Sequence, residues 1–329
     1  MDILIIFAWI ALALLLIGEG SDWLTDSLIP IAKKFGVSGV SVGLILVSVA
    51  VSLPEIMVAI YTAHKGYLGI TFGVIIGSIF CNIGLMTGLS AIFRPLHVTR
   101  NLILRDGIFS LIVPILVFAV ASSGQITRIE GLAFALLFIP YVINVFLIEK
   151  EKTPDEKGHE VKQVEAELGL LGFDFPKIKP GILSFVLGIG VLLFGTQIFG
   201  NQIISIAENF QISQIIIGLT LGAIVPSIPN IAAAYKATRK GMGAVAVSET
   251  LGSNIFTLLV TLGVTAMLAP IALEPQWLKF DLPALLVMSA MLFAFIVTKH
   301  RVSRLEGAIL LGSYLAILAV QIYLGVKFT

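Results

Sequence analysis

The chain has a single cysteine, Cys81, among 329 residues, and only 12% of its residues are charged. One cysteine excludes an internal disulfide and a cysteine-based metal cluster. Soluble proteins carry about 25% charged residues, so the scarcity of charge excludes an ordinary soluble protein. The net charge is +1 and no basic stripe occurs, so nothing indicates a nucleic-acid partner.

Apolar residues are abundant instead, at 57% of the chain. They fall into ten segments of membrane-spanning length, at roughly 3–30, 38–63, 69–93, 104–122, 129–148, 181–207, 212–238, 243–269, 281–298 and 304–325. This pattern predicts an all-α polytopic membrane protein with ten transmembrane helices, embedded in the lipid bilayer.

One long polar stretch, residues 149–180, separates the fifth segment from the sixth. It predicts a linker between two five-helix halves, residues 1–148 and 181–329. If the N-terminus is outside, most of the 21 lysines and arginines, Arg105 among them, fall in inner loops or in the linker. We therefore expect a multi-pass protein of the cell (plasma) membrane, with both termini outside and the linker in the cytoplasm.

The two halves resemble each other at a constant offset of 175 residues without gaps. Each half has five predicted spans, an odd number, so the second copy must lie inverted relative to the first. Inverted repeats are typical of alternating-access transporters, whose binding site lies near the bilayer midplane. Matching positions include Gly43 and Gly218, Ser52 and Ser227, Pro54 and Pro229, Gly77 and Gly252, and Ser78 and Ser253.

Glu55 lies in the middle of an apolar segment, directly after Pro54. A carboxylate inside the membrane costs several kcal/mol unless it is paired or faces water, and such residues are functional by default. The proline withdraws a backbone donor from the helix. Together they predict a broken helix with a cation site at the break.

Oxygen-bearing side chains accompany Glu55 on predicted helix faces of both halves. They recur at spacings of three and four residues, which places them on one face. Hard cations such as Ca²⁺ and Na⁺ take carboxylate, hydroxyl, amide and carbonyl oxygens. The candidate cation ligands are Ser48, Ser52, Glu55, Ser78, Asn82, Ala223 (through its backbone carbonyl), Ser227, Asn230, Glu249, Ser253 and Thr257.

These motifs resemble those of the sodium/calcium exchanger family of cation/Ca²⁺ antiporters. S-L-P-E at Ser52–Glu55 and G-S-x-x-x-N at Gly77–Asn82 return in altered form at Ser227–Asn230 and Gly252–Thr257. The resemblance implies a central site formed by the second, third, seventh and eighth helices. It also implies exchange of Ca²⁺ for Na⁺ or H⁺ as transported cations, without a cofactor.

The chain departs from the family pattern at the second acid. Asn230 stands where the family has glutamate, and Glu249 stands where it usually has asparagine. A lone carboxylate leaves Ca²⁺ with excess charge, which is costly away from water. Glu249 is therefore a candidate for a displaced second acid.

Two other interpretations remain open. A buried glutamate can carry a proton, so the chain could be a monovalent-cation/proton exchanger, or else a membrane homologue that does not transport. No Ser–His, paired-Asp or HExxH arrangement occurs within the predicted spans, so we do not expect an enzyme. Nothing in the sequence indicates an obligate protein partner.

Overall fold

A computed structural model describes the backbone of residues 3–34, 40–150 and 179–327, and the side chains of residues 4–27, 49, 52–148 and 179–324. The predicted linker lies almost wholly outside these ranges, and so does the side chain of Ser48. The helices in the described residues are α1 Ile3–Lys34, α2 Val40–His64, α3 Leu68–Phe93, α4 Arg100–Ala121, α5 Arg128–Lys150, α6 Ile182–Asn209, α7 Gln214–Arg239, α8 Gly243–Leu268, α9 Trp277–Lys299 and α10 Arg304–Lys327.

The predicted all-α fold is confirmed. Within the described residues, nine helices are long and apolar enough to cross a membrane; α2, whose side chains are only partly described, is the one outside that count. Four two-residue strands lie in the turns: β1 Leu96–His97, β2 Gln125–Ile126, β3 Ile271–Ala272 and β4 Arg301–Val302. The number of ten spans stays a prediction.

Among the nine helices compared over their described residues, α3 and α8 are the most enclosed. Buried residues make up 83% of the spanning window in α3 and 78% in α8, but 22% in α5 and α10. The outer helices turn large apolar side chains outward, such as Ile129 and Leu183, which are 80% and 70% exposed. In water such surface would be unfavourable, whereas lipid covers it without cost. The centre of the molecule is therefore built around α3 and α8.

The starts of α5 and α10 carry the same local structure. The Thr127 backbone amide donates to Glu130 Oε2 at 2.7 Å, and the Glu130 amide donates back to Thr127 Oγ1 at 3.3 Å. Ser303 and Glu306 form the same pair at 2.7 and 3.3 Å. This reciprocal capping box satisfies amides that a helix start leaves unpaired, so it fixes where both helices begin.

Contacts between the halves also occur in corresponding pairs. β1 pairs antiparallel with β4, and β3 with β2. In helices, α3 meets α10 at Gly88 and Gly307, and α8 meets α5 at Gly263 and Gly131. Gly263 is Gly88 advanced by the repeat offset. This exchange of equivalent contacts is what two copies of one five-helix unit would make, and it supports the proposed inverted relationship.

The helices run on past their prolines, contrary to the expected break. The described backbone of α2 is helical from Val40 to His64 with Pro54 inside it. The described α7 contains Pro226 and Pro229, and its second turn, Gly218–Gly222, is π-helical. A proline removes one donor, and packed neighbours in a membrane helix accommodate the loss.

Arg105, which the sequence pattern assigned to an inner loop, lies inside α4. Its side chain is 7% exposed, and its Nε and Nη2 donate to the two carboxylate oxygens of Asp106 at 2.9 and 2.6 Å. Tyr141 on α5 donates to Asp106, and Arg105 donates to Ser248 on α8. The charges compensate each other, so both residues can be buried.

The helices α3 and α7 pack closely against each other at glycine residues. A Cβ atom on Gly73 would lie 2.7 Å from the Gly218 Cα, and one on Gly77 would lie 2.9 Å from the Leu219 Cα. Small residues let membrane helices pack backbone to backbone. The sequence places glycine here because only a missing side chain permits this contact.

Gly73→Ala is accordingly expected to lower the thermal midpoint of the purified protein. The added methyl group meets backbone on the facing helix, and overpacking of this kind costs roughly 1–3 kcal/mol. Gly190→Ala on α6 is the matched control, because nothing lies within 4 Å of its added Cβ. If both variants melt alike, the α3–α7 contact is not close-packed.

Candidate functional site

Glu55 is the centre of a buried polar cluster between the halves. It is 1% exposed, and its Oε1 accepts hydrogen bonds from Ser227 Oγ at 2.9 Å and from Asn230 Nδ2 at 3.2 Å. Both donors belong to the second copy of the motif that contains Glu55. Asn230 is the position that corresponds to Glu55 in the other half, so the two equivalent side chains are in direct contact.

A second set of hydrogen bonds links α2, α3 and α8. Ser52 and Ser253 share a hydrogen bond of 2.9 Å between their hydroxyl oxygens. Asn82 Nδ2 donates to Ser253 Oγ at 3.3 Å and to Asn254 Oδ1 at 3.1 Å. Candidate residues from the second, third and eighth helices are thus linked to Ser52, which lies one turn before Glu55 on α2.

Two buried oxygen atoms in this cluster have no hydrogen-bond donor among the described residues. They are Oε2 of Glu55 and Oδ1 of Asn82. A buried acceptor left unmatched costs about 1–3 kcal/mol, and more when it is charged. Hard cations are bound by oxygen atoms of these kinds, so the donor set is chemically suited to a cation.

The other predicted ligands have more local arrangements. Ser78 is buried, and its hydroxyl donates to the Ile75 carbonyl at 3.0 Å. The Ala223 carbonyl accepts from Ser227 Oγ at 2.9 Å. Thr257 is buried at the first position of a π-helical turn, Thr257–Thr261. Their roles as ligands stay predictions.

Glu249 is buried on α8, one turn before Ser253, and is 2% exposed. Its neighbour Thr250 donates to the Asn82 carbonyl at 3.2 Å and shares a 2.6 Å hydrogen bond with Thr87. These contacts fasten the Glu249 segment to α3 beside Asn82. Its role as a displaced second acid therefore stays a candidate that the local packing permits.

The sequence pattern missed Asn254, which is 5% exposed and is a partner of Asn82. The spacing of four residues indicated Ser253 and Thr257 but not Asn254, which lies between them. The sequence signal for Asn254 was an amide side chain, directly after Ser253, in an otherwise apolar helix. An amide in such a place is expected to find a partner across the helix interface.

The site is poor in negative charge. Across the described residues, no group of three or more His, Cys, Asp or Glu side chains comes close enough to hold a metal ion. The side chains described in contact with Glu55, Ser227 and Asn230, are a neutral hydroxyl and a neutral amide. Unless Glu249 contributes, a cation bound here would meet one full charge from Glu55 and weaker dipoles from its neighbours.

Comparison with known proteins identifies relatives along nearly the whole chain. Residues 5–147 and 180–323 match the family model described as sodium/calcium exchanger protein. The chain is 29% identical to the sodium/calcium exchanger MaX1 of Methanosarcina acetivorans, over 97% of this chain and 99% of that protein. It is 28% identical to the inner membrane protein YrbG of Escherichia coli, over 96% and 97%.

Solved structures of the sodium-calcium exchanger NCX_Mj are similar as well. The form soaked with 2.5 mM Na⁺ and 0.1 mM Ca²⁺ superposes with a TM-score of 0.66 at 27% identity, covering 97% of this chain and 99% of that chain. The form soaked with 10 mM Na⁺ and no Ca²⁺ gives 0.66 at 25% identity. The membrane fold is thus shared from end to end.

Proposed function

Because this chain belongs to the sodium/calcium exchanger family, we propose that it moves Ca²⁺ across the membrane in exchange for Na⁺, with Glu55 as the central ligand. Membership makes it a multi-pass membrane protein and a cation/Ca²⁺ antiporter rather than an enzyme. The choice of Na⁺ as the driving ion is the proposal. We further propose that both termini lie outside and that the linker is cytoplasmic.

The observation that carries the proposal is the environment of Glu55. One carboxylate oxygen is fixed by Ser227 and Asn230 from the opposite half, and the other oxygen has no donor among the described residues. A ligand atom at the contact between two inverted halves can be reached from either side as the halves move. The arrangement therefore suits alternating access to one cation site.

The test is uptake of ⁴⁵Ca²⁺ into proteoliposomes driven by an outward Na⁺ gradient. The proposal expects uptake that requires the gradient and stops when Na⁺ is equal on both sides. Uptake driven by a pH gradient alone would replace Na⁺ by H⁺ as the driving ion. Absence of uptake under both gradients, with correctly folded protein, would leave the non-transporting homologue as the better account.

A second candidate function is exchange of a monovalent cation for a proton. Asn230 favours this function. Because a neutral amide stands at the position of the family's second acid, Glu55 is the one charged side chain at this contact. A single carboxylate balances Na⁺ or H⁺ more readily than Ca²⁺. Na⁺ flux that follows a pH gradient and is unaffected by Ca²⁺ would identify this function.

We expect the substitution Glu249→Gln to weaken the binding of Ca²⁺ more than the binding of Na⁺. If Glu249 supplies the second charge, its loss should raise the half-saturating Ca²⁺ concentration about tenfold, equivalent to about 1.4 kcal/mol, with a smaller effect for Na⁺. Glu274→Gln, at an exposed position between β3 and α9, is the matched control. Equal half-saturation in wild type and Glu249→Gln would remove Glu249 from the site.

A further inference from the structure

We propose that a cavity between α3 and α7 binds an acyl chain of an anionic phospholipid, whose phosphate group is held by Arg94, Arg239 and Arg304. The cavity has a volume of 270 Å³ and lies outside the Glu55 cluster. Its walls are almost entirely apolar. They are formed by the last two turns of α3, which end at Phe93, and by the part of α7 that contains Ile228, Ile231 and Ala232.

The rim of the cavity is aromatic and partly open. Phe93 is 54% exposed, and its ring meets Tyr235 edge to face with centroids 4.8 Å apart. Both residues belong to membrane-spanning helices, and the proposal places lipid outside the opening. An apolar cavity that opens into lipid suits an acyl chain better than a soluble ligand.

Three arginines surround this rim at helix ends on one side of the molecule. Arg239 lies over the Tyr235 ring at 5.9 Å, and Arg304 donates to the Phe93 carbonyl at 3.4 Å. The Arg94 guanidinium lies beside Gly241, in the turn after α7. All three are exposed, and none forms an ion pair within the described side chains.

The chemistry of these groups identifies the headgroup. Guanidinium groups bind phosphate through paired hydrogen bonds, and basic pockets between membrane helices bind anionic headgroups. The arginines lie at the ends of membrane-spanning helices, which is where the proposal places the lipid headgroup. A chain extending from there along α3 and α7 enters the cavity.

The other half of the repeat provides an internal comparison. At the repeat offset, Ala232 corresponds to Met57, Arg239 to His64 and Arg94 to Ala269. A larger methionine stands at the position that corresponds to Ala232, and two of the arginines have no counterpart. The residues that form the cavity wall and its basic rim therefore differ between the two halves.

The cavity is also placed to influence exchange. Ile228 and Ile231 line it, and they flank Pro229 and Asn230, which contacts Glu55. An acyl chain against these isoleucines would support the α7 segment that holds Ser227 and Asn230. Anionic lipid should therefore stabilise the folded protein without entering the cation site.

The test measures the thermal midpoint of the full chain in phosphatidylcholine micelles, with and without phosphatidylglycerol, and counts retained lipid by native mass spectrometry. The proposal expects phosphatidylglycerol to be retained and to raise the midpoint. Ala232→Met should abolish both effects by filling the cavity, and the double variant Arg94→Ala, Arg239→Ala should abolish them by removing the charge. Arg128→Ala, an exposed arginine at the start of α5, is the control and should behave like wild type.

Midpoints in phosphatidylcholine alone establish that each variant folds. A wild-type midpoint unaffected by phosphatidylglycerol would overturn the proposal. So would full retention of the lipid by both the cavity variant and the arginine variant. Loss of the effect in Ala232→Met but not in the arginine variant would indicate an apolar guest without headgroup recognition. The same stabilisation by inorganic phosphate would indicate an anion site. Either result contradicts a phospholipid site.

Discussion

Glu55→Gln should abolish Na⁺-driven ⁴⁵Ca²⁺ uptake, with a loss of at least about 100-fold, equivalent to about 2.7 kcal/mol. The amide keeps the size of the side chain but removes the one full charge that the described ligand set offers near Ser227 and Asn230. Coulomb attraction between a carboxylate and a divalent ion in a buried site exceeds that value even with a generous dielectric constant. The loss should appear in Na⁺ flux as well.

Two controls separate charge from folding in this experiment. Glu55→Asp keeps the charge on a shorter side chain and should retain part of the activity. Glu274→Gln makes the same chemical change at an exposed position and should leave transport unchanged. If Glu55→Gln transports at a rate close to wild type, Glu55 is not the central ligand.

Asn230→Asp should restore Ca²⁺ exchange to the Glu249→Gln variant. Asn230 Nδ2 lies 3.2 Å from Glu55 Oε1, so an aspartate of the same shape would place a second carboxylate directly beside the first. Two carboxylates balance the charge of Ca²⁺. The half-saturating Ca²⁺ concentration should fall back about tenfold, equivalent to about 1.4 kcal/mol.

The aspartate introduced by Asn230→Asp should also change the pH dependence of uptake. Without Ca²⁺, two adjacent carboxylates cannot both remain charged, so they share a proton. Uptake by the double variant should consequently fall more steeply on acidification than uptake by wild type. Asn209→Asp, which adds the same charge at an exposed position on α6, should produce neither the rescue nor the pH dependence. Failure of the rescue would mean that the number of carboxylates does not set Ca²⁺ affinity.

The sequence was sufficient to find the centre of the buried polar cluster. An acid inside an apolar segment identified Glu55, and the constant repeat offset identified Asn230 as its counterpart. In the proposed inverted arrangement, residues at corresponding positions meet where the copies face each other, and these two side chains are in contact. The family membership expected from the motifs is confirmed by the match along both halves.

The details that sequence patterns missed depend on helix irregularities and on packing. Spacing of four residues assumes a regular α-helix, but α3 has a π-helical stretch at Asn82–Leu89 and α8 has one at Thr257–Thr261. A π-helical turn contains an extra residue, which changes the face presented after it. Asn254 precedes the π-helical stretch of α8, so its case is different: a stripe at spacings of four from Ser253 passes over it, and only packing against α3 makes it the partner of Asn82.

Arg105 illustrates a second limit of sequence reasoning. Loop assignment from charge treats each lysine or arginine as a residue that avoids the membrane interior. Here the adjacent Asp106 neutralises the arginine, and Tyr141 completes the hydrogen bonds of the aspartate from α5. The partner on another helix could not be identified from local sequence.

The most direct measurement is a crystal structure of the protein soaked with Sr²⁺ or Ca²⁺, with the ion located by anomalous scattering. Our account predicts a peak about 2.3–2.6 Å from Glu55 Oε2, between α2, α3, α7 and α8. Its distance from Glu249 would show whether that residue supplies the second charge. A bound divalent ion elsewhere in the membrane region, with Glu55 still held only by Ser227 and Asn230, would contradict the account.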